Sequence, residues 1–283
     1  MANEPTAQEW TNAQEETTVS LDTHELTVSY YDDGATTATE NPIVFLHGIP
    51  TWSYLWRDVA PAFEDERRVI APDFVGYGNS AMHDGFDRSV RAQEEVLDDL
   101  LAQLEVDQID LVAHDIGGGV ALRYAAHNPD AVGKLVLSNS IAYDSWPIQF
   151  VVDLGLPATI NDMTVDDVDE QLTGMFRSTL VDPDDEFVEA MASRFRSDDG
   201  RISLSRNAIA TNTSHTTEID YGAITAETYF IWGENDEFQP IEFAERLDDD
   251  LENTAGIARL DANHWVPADR PSQYVDQLSN FLE

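Results

Sequence analysis

The sequence predicts an α/β fold, a mostly parallel sheet covered by helices on both faces, with one helical insertion. Three observations carry the prediction. Short, continuous apolar runs recur along the chain, as parallel strands buried on both faces require. Amphipathic helical stretches fall between them. The alternation breaks once, between about residues 143 and 217, where helical periodicity continues and strand signal nearly vanishes.

Taken in order, residues 17–21 and 25–31 alternate apolar and polar side chains, the pattern of a half-exposed antiparallel hairpin. Asp32, Asp33 and Gly34 mark a turn. Pro42 leads into Ile43-Val44-Phe45-Leu46, a short run typical of a buried parallel strand. Similar runs at 69–71, 109–113, 135–137, 228–232 and 258–260 complete the predicted core strands. Val90, Val96, Leu97, Leu100, Leu101 and Leu104 recur at helical spacing and give one apolar face. Residues 241–247 and 274–282 read as further amphipathic helices. Within the insertion, Val165, Val168, Leu172, Met175 and Phe176, then Phe187, Met191 and Phe195, keep a helical period. Open α/β folds bind ligands beyond the carboxyl ends of their strands. The expectation is a core of residues 1–142 and 218–283, with residues 143–217 as a helical cap closing over the site.

Composition excludes several classes of function. The chain lacks cysteine, so disulfides, thiolate catalysis and cysteine-ligated metals are excluded. Its seven histidines show no paired metal-ligand spacing, and neither metal nor cofactor is expected. Fifteen basic residues face 55 acidic ones, a formal charge of −40, which would repel nucleic acid and anionic membranes. Lys134 is the only lysine. Such a balance is expected of a cytosol at molar salt, where a Debye length of ~3 Å relieves self-repulsion. The first 18 residues are polar and acidic, without a signal-peptide pattern, and no apolar run approaches the ~20 residues of a membrane span. The expectation is a cytoplasmic monomer or small homo-oligomer acting on a small molecule.

The chemistry centres on Ala113-His114-Asp115-Ile116-Gly117, where a strand meets a helix through a sharp turn with small residues around one reactive side chain. Asp115 could merely cap the helix. However, Ala113 and Gly117 are small where a strained elbow tolerates no bulk, and Gly118 and Gly119 allow close helix packing. His264 follows the last predicted strand among apolar neighbours, where a general base would sit. Asp236 follows the strand at 228–232, suited to orienting that imidazole, with Glu234 and Asp144 as alternatives. After the first core strand, His47-Gly48-Ile49-Pro50 allows a tight turn. The backbone N–H groups of Ile49 and Ile116 would then form an oxyanion hole, with His47 holding the turn by hydrogen bonds.

These residues, in the order nucleophile, acid, base, resemble the α/β-hydrolase fold superfamily, with aspartate in place of the usual serine. The resemblance runs from about residue 17 to the C-terminus. The aspartate elbow looks like the branch of haloalkane dehalogenases and epoxide hydrolases. HGIPTWSYLWR at 47–57 is similar to the HGNPTSSYLWR-type segment of haloalkane dehalogenases, and APDFVGYGNS at 71–80 resembles their next loop.

Two positions depart from that pattern. The tryptophan that usually follows the nucleophile and holds the departing halide is Ile116, and the asparagine usual in the HG segment is Ile49. Trp52, Trp146 and Asn212 are the candidate replacement donors. Tyr143 is the candidate for the cap tyrosine that protonates an epoxide. Fluoroacetate dehalogenases resemble this elbow but carry arginines where this chain has Ile116 and Gly119, which points away from a carboxylate substrate.

The resemblance implies a hydrolase in which Asp115 attacks an sp³ carbon to form an alkyl ester that His264 hydrolyses with water. It further implies a small neutral apolar substrate. An epoxide hydrolase and a ligand-binding receptor with little turnover are the alternatives. An ester or lactone hydrolase ranks last, because carboxylate attack on an ester would give an anhydride.

Overall fold

The computed structural model describes residues 5–35, 40–64, 66–157 and 162–283. Among them, eight strands form one sheet: β1 (Gln14–Leu21), β2 (His24–Asp32), β3 (Ile43–Leu46), β4 (Val69–Pro72), β5 (Ile109–His114), β6 (Val132–Ser138), β7 (Glu227–Gly233) and β8 (Thr254–Leu260). Their spatial order is β1-β2-β4-β3-β5-β6-β7-β8. β1 and β2 form the expected hairpin, and β2 pairs antiparallel with β4. Every later pairing is parallel. β3, β4 and β5 are buried at every residue, which is why they read as unbroken apolar runs.

Helix α2 (Val90–Gln103) buries the predicted face of Val90, Val96, Leu97, Leu100 and Leu101, and the Ser89 hydroxyl caps it. It packs against α3 (Ile116–His127). Among the described residues, the helices between β6 and β7 include α4 (Gln149–Gly155), α5 (Val165–Thr179), α6 (Asp185–Ser193) and α7 (Asp198–Thr211). Thr164, Asp184 and Ser197 supply side-chain caps at the starts of the last three. Val168, Leu172 and Phe176 of α5 and Phe187 and Met191 of α6 form their buried faces. The chain then completes α8 (Glu242–Asp250), a short α9 (Val266–Asp269) and α10 (Pro271–Leu282). The only lysine serves the end of α10: Lys134 donates to the Phe281 carbonyl, and Arg67 to that of Leu282, complementing the negative helix terminus.

The acidic N-terminal stretch holds an element its composition did not announce. α1 (Ala7–Ala13) starts at a capping box between Thr6 and Glu9. Trp10 supplies its anchor: the ring stacks on Tyr31 with centroids 4.4 Å apart, and its N–H donates to Ser53 at 3.0 Å. One large aromatic fixes a segment that is otherwise polar. No helix among the described residues is long and apolar enough to cross a membrane.

Candidate active site

The candidate residues gather at the carboxyl ends of the parallel strands. Asp115 follows β5 directly and opens α3 with φ 53° and ψ −122°, a backbone state that costs strain for a residue with a side chain. Its carboxylate makes no capping bond to the helix. Tight packing maintains the bend: a Cβ on Gly117 would lie 2.5 Å from the His47 carbonyl oxygen, and one on Gly48 2.5 Å from Asp115 Oδ1. Glycine at both places lets the loop after β3 close on the elbow.

That approach puts the Ile49 N–H 2.8 Å from Asp115 Oδ1. The N–H groups of Ile116 and Ile49 both favour the ionised carboxylate, as does His264. Burial acts more strongly in the other direction and raises its pKa to about 6. His47 holds the loop. Its Nε2 accepts from the Phe74 N–H at 2.9 Å, so Nδ1–H donates to the Gly48 carbonyl at 2.9 Å. Burial pulls its pKa down to about 4, so the ring stays neutral.

His264 lies in the loop between β8 and α9. Nδ1–H donates to Asp236 Oδ2 at 2.8 Å, leaving the Nε2 lone pair facing Asp115 Oδ2 at 3.8 Å. Burial is the largest single influence on this imidazole and opposes its charge. The Asp236 carboxylate, its hydrogen bond and Asp115 together outweigh burial, and the net shift is upward. The neighbouring His114 ring has its centroid 4.7 Å away. Its pKa is pushed well down, chiefly by burial, so it does not compete for the proton.

Asp236 is buried after β7, whereas its alternatives are on the surface: Glu234 is exposed, and exposed Asp144 pairs with Arg246. A residue that sequence reading missed fixes this carboxylate. Asn139, immediately after β6 with φ 44°, donates through Nδ2 to Asp236 Oδ2 at 2.5 Å. Its Oδ1 accepts the Gly233 N–H at 3.0 Å. The Phe238 N–H donates to Asp236 Oδ1 at 2.7 Å. The polar Ser-Asn-Ser run at the end of an apolar strand was the available signal.

An apolar chamber lies over Asp115 and His264, walled by Ile148, Phe150, Leu154 and Met175 among others. It offers about 20 Å³ to the centre of a water-sized sphere, against the roughly 10–15 Å³ that one water needs. Of the four candidate leaving-group residues, only Trp146 reaches it. Its indole N–H is buried and has no hydrogen-bond partner among the described residues. The other three expectations are corrected. Trp52 donates its N–H to the Ala190 carbonyl at 3.2 Å. Tyr143 is turned to the surface side, donating to Asp250 at 2.8 Å while stacking on Tyr221. Asn212 is exposed at the end of α7.

Comparison with known proteins agrees with this architecture. Residues 41–271 match the family described as alpha/beta hydrolase fold. A 2-hydroxy-6-oxo-2,4-heptadienoate hydrolase from Pseudomonas putida is 28% identical over 261 residues, 86% of this chain and 89% of that protein. Haloalkane dehalogenase 2 from Mycobacterium tuberculosis is 34% identical over 113 residues, covering 40% of this chain and 38% of that one. A soluble epoxide hydrolase from a Corynebacterium species is 39% identical over 113 residues, covering 38% and 39%. The latter two matches therefore span less than half of either partner. The chain belongs to the alpha/beta hydrolase fold family and is a hydrolase.

Proposed function

We propose that the protein is a hydrolase of haloalkane-dehalogenase type, with Asp115 as nucleophile, acting on a small neutral apolar substrate beneath a cap formed by residues 143–217. The observation that carries this is one apolar chamber lined both by the buried carboxylate of Asp115 and by Trp146, whose buried N–H has no hydrogen-bond partner among the described residues. An unsatisfied donor in such a place costs about 1–3 kcal/mol. A departing anion would satisfy it. Similarity to a haloalkane dehalogenase supports the same reading.

Asp115 Oδ1 is bonded to the Ile49 N–H, so Oδ2 is the oxygen free to attack. It displaces the leaving group from an sp³ carbon, and the group departs as an anion toward the Trp146 N–H. An alkyl ester of Asp115 results. Forming that ester removes the Asp115 charge, one of the causes that raise the His264 pKa. Losing it weakens the imidazole's hold on a second proton at the step that needs a base. It takes a proton from a water attacking the ester carbonyl, while Asp236 and Asn139 hold its orientation. Negative charge develops on Oδ1, where the Ile49 and Ile116 N–H groups offset it by roughly 3 kcal/mol per donor.

An epoxide substrate requires an acid for its ring oxygen, and no tyrosine lines the chamber among the described residues. The test is His264→Phe, incubated separately with a bromoalkane, an epoxide and an ester in high salt, with intact mass as readout. An alkyl adduct on Asp115 from the bromoalkane is expected. An adduct from the epoxide alone would give the reaction to epoxides. Absence of any adduct, with retained small-molecule binding, would make the protein a receptor.

A further inference from the structure

Two cavities meet at His264, and the only other residue they share is Phe238. The inner one is the apolar chamber of about 20 Å³ over Asp115. The outer one is an open cleft of about 310 Å³, lined by Ser178, Thr179, Asn235, Glu237 and Asn263 together with Asp236. One side is small and apolar, the other open and polar. The Phe238 ring stands edge-on to the imidazole, with centroids 5.2 Å apart and planes at 68°. Its backbone cannot drift, because its N–H is held by Asp236.

We propose that Phe238 is the residue that sets substrate length. Its ring closes the inner chamber on the side facing the polar cleft and limits how far an apolar chain can extend from Asp115. Cutting the ring back joins the two spaces into one passage, apolar at Asp115 and polar at its outer end. That passage suits a longer chain ending in a neutral hydrogen-bonding group such as a hydroxyl. A terminal carboxylate would meet Glu237 and Asp236 and be repelled. This inference rests on the chamber being the substrate site.

The binding test needs no chemistry. Affinities of 1-propanol and 1,6-hexanediol, which are not alkylating agents, are measured in high salt for the wild type, Phe238→Leu, Phe238→Val and Phe238→Ala. The preference for the diol over propanol is expected to rise in that order. In Phe238→Ala it should reach about tenfold over the wild type, the effect of roughly two further buried methylenes. The graded series keeps the test intact should the alanine variant fold poorly. A ratio constant within about twofold across the folded variants would overturn the proposal.

Repeating the comparison with 1-bromopropane and 6-bromohexan-1-ol in the His264→Phe background separates the two readings. A shift in alcohol binding without Asp115 adducts removes the dehalogenase chemistry and keeps the length filter. Adducts from both bromides without a binding shift do the reverse.

Discussion

The two halves of the site are built on opposite rules. On the sheet side, the groups around Asp115 and Asp236 are tied down: Asp115 Oδ1 to Ile49, Asp236 to His264, Asn139 and Phe238, and His47 to the Gly48 carbonyl and the Phe74 N–H. On the helical side the lining side chains are apolar apart from Trp146, whose buried N–H has no partner among the described residues. The sheet side holds charges that exist before the reaction. The helical side leaves room for one that the reaction would create. A buried donor without a partner carries a penalty that a transient anion beside it would offset.

The largest effect expected on this comparison comes from removing the proposed nucleophile on the sheet side. Asp115→Asn should lower turnover of a bromoalkane by about 10⁴-fold or more, read as halide release. The same variant carries a stability signature. The folded pKa of Asp115 is raised to about 6, above its ordinary 3.8, so the ionised form destabilises the fold. That penalty is absent below the ordinary value and complete above pH ~6. Asp115→Asn should therefore be more stable than wild type at pH 8, by on the order of 1–3 kcal/mol, and equal to it near pH 4. A pH-independent difference in melting temperature would contradict the sign.

On the helical side, Trp146→Phe keeps an aromatic ring, though a smaller one, and deletes the donor. It should slow ester formation by about 10–100-fold while leaving ester hydrolysis unchanged, as single-turnover kinetics would show. Equal slowing of both steps would mean that the residue only shapes the chamber, and the contrast between the halves would fail.

The smallest effect on the site, though broad for the fold, concerns the surface. A formal charge of −40 should make the protein more stable in ~2 M than in ~0.1 M salt, with the triad geometry unaltered. Equal thermal stability in both would remove the high-salt interpretation.

Much of this was legible in one dimension because it is local. Strands buried on both faces must be apolar runs, so β3, β4 and β5 could be read directly. The elbow needs small residues at fixed offsets from Asp115, and Ala113 and Gly117 supply them within five positions. Asp236 and His264 were readable because each follows a core strand, and the sheet brings strand ends together whatever lies between.

Other features needed the fold. α1 depends on one tryptophan reaching Tyr31 and Ser53, a contact that a polar window does not reveal. Trp52 and Trp146 are the same residue type with the same donor, and only packing shows that one is satisfied by Ala190 while the other has no partner among the described residues. Sequence fixed which chemical groups the chain carries and which backbone states they can adopt, since both depend on neighbours a few bonds away. Tertiary structure alone decided which of those groups were already paired, because a hydrogen bond is completed by whatever the fold brings within about 3 Å.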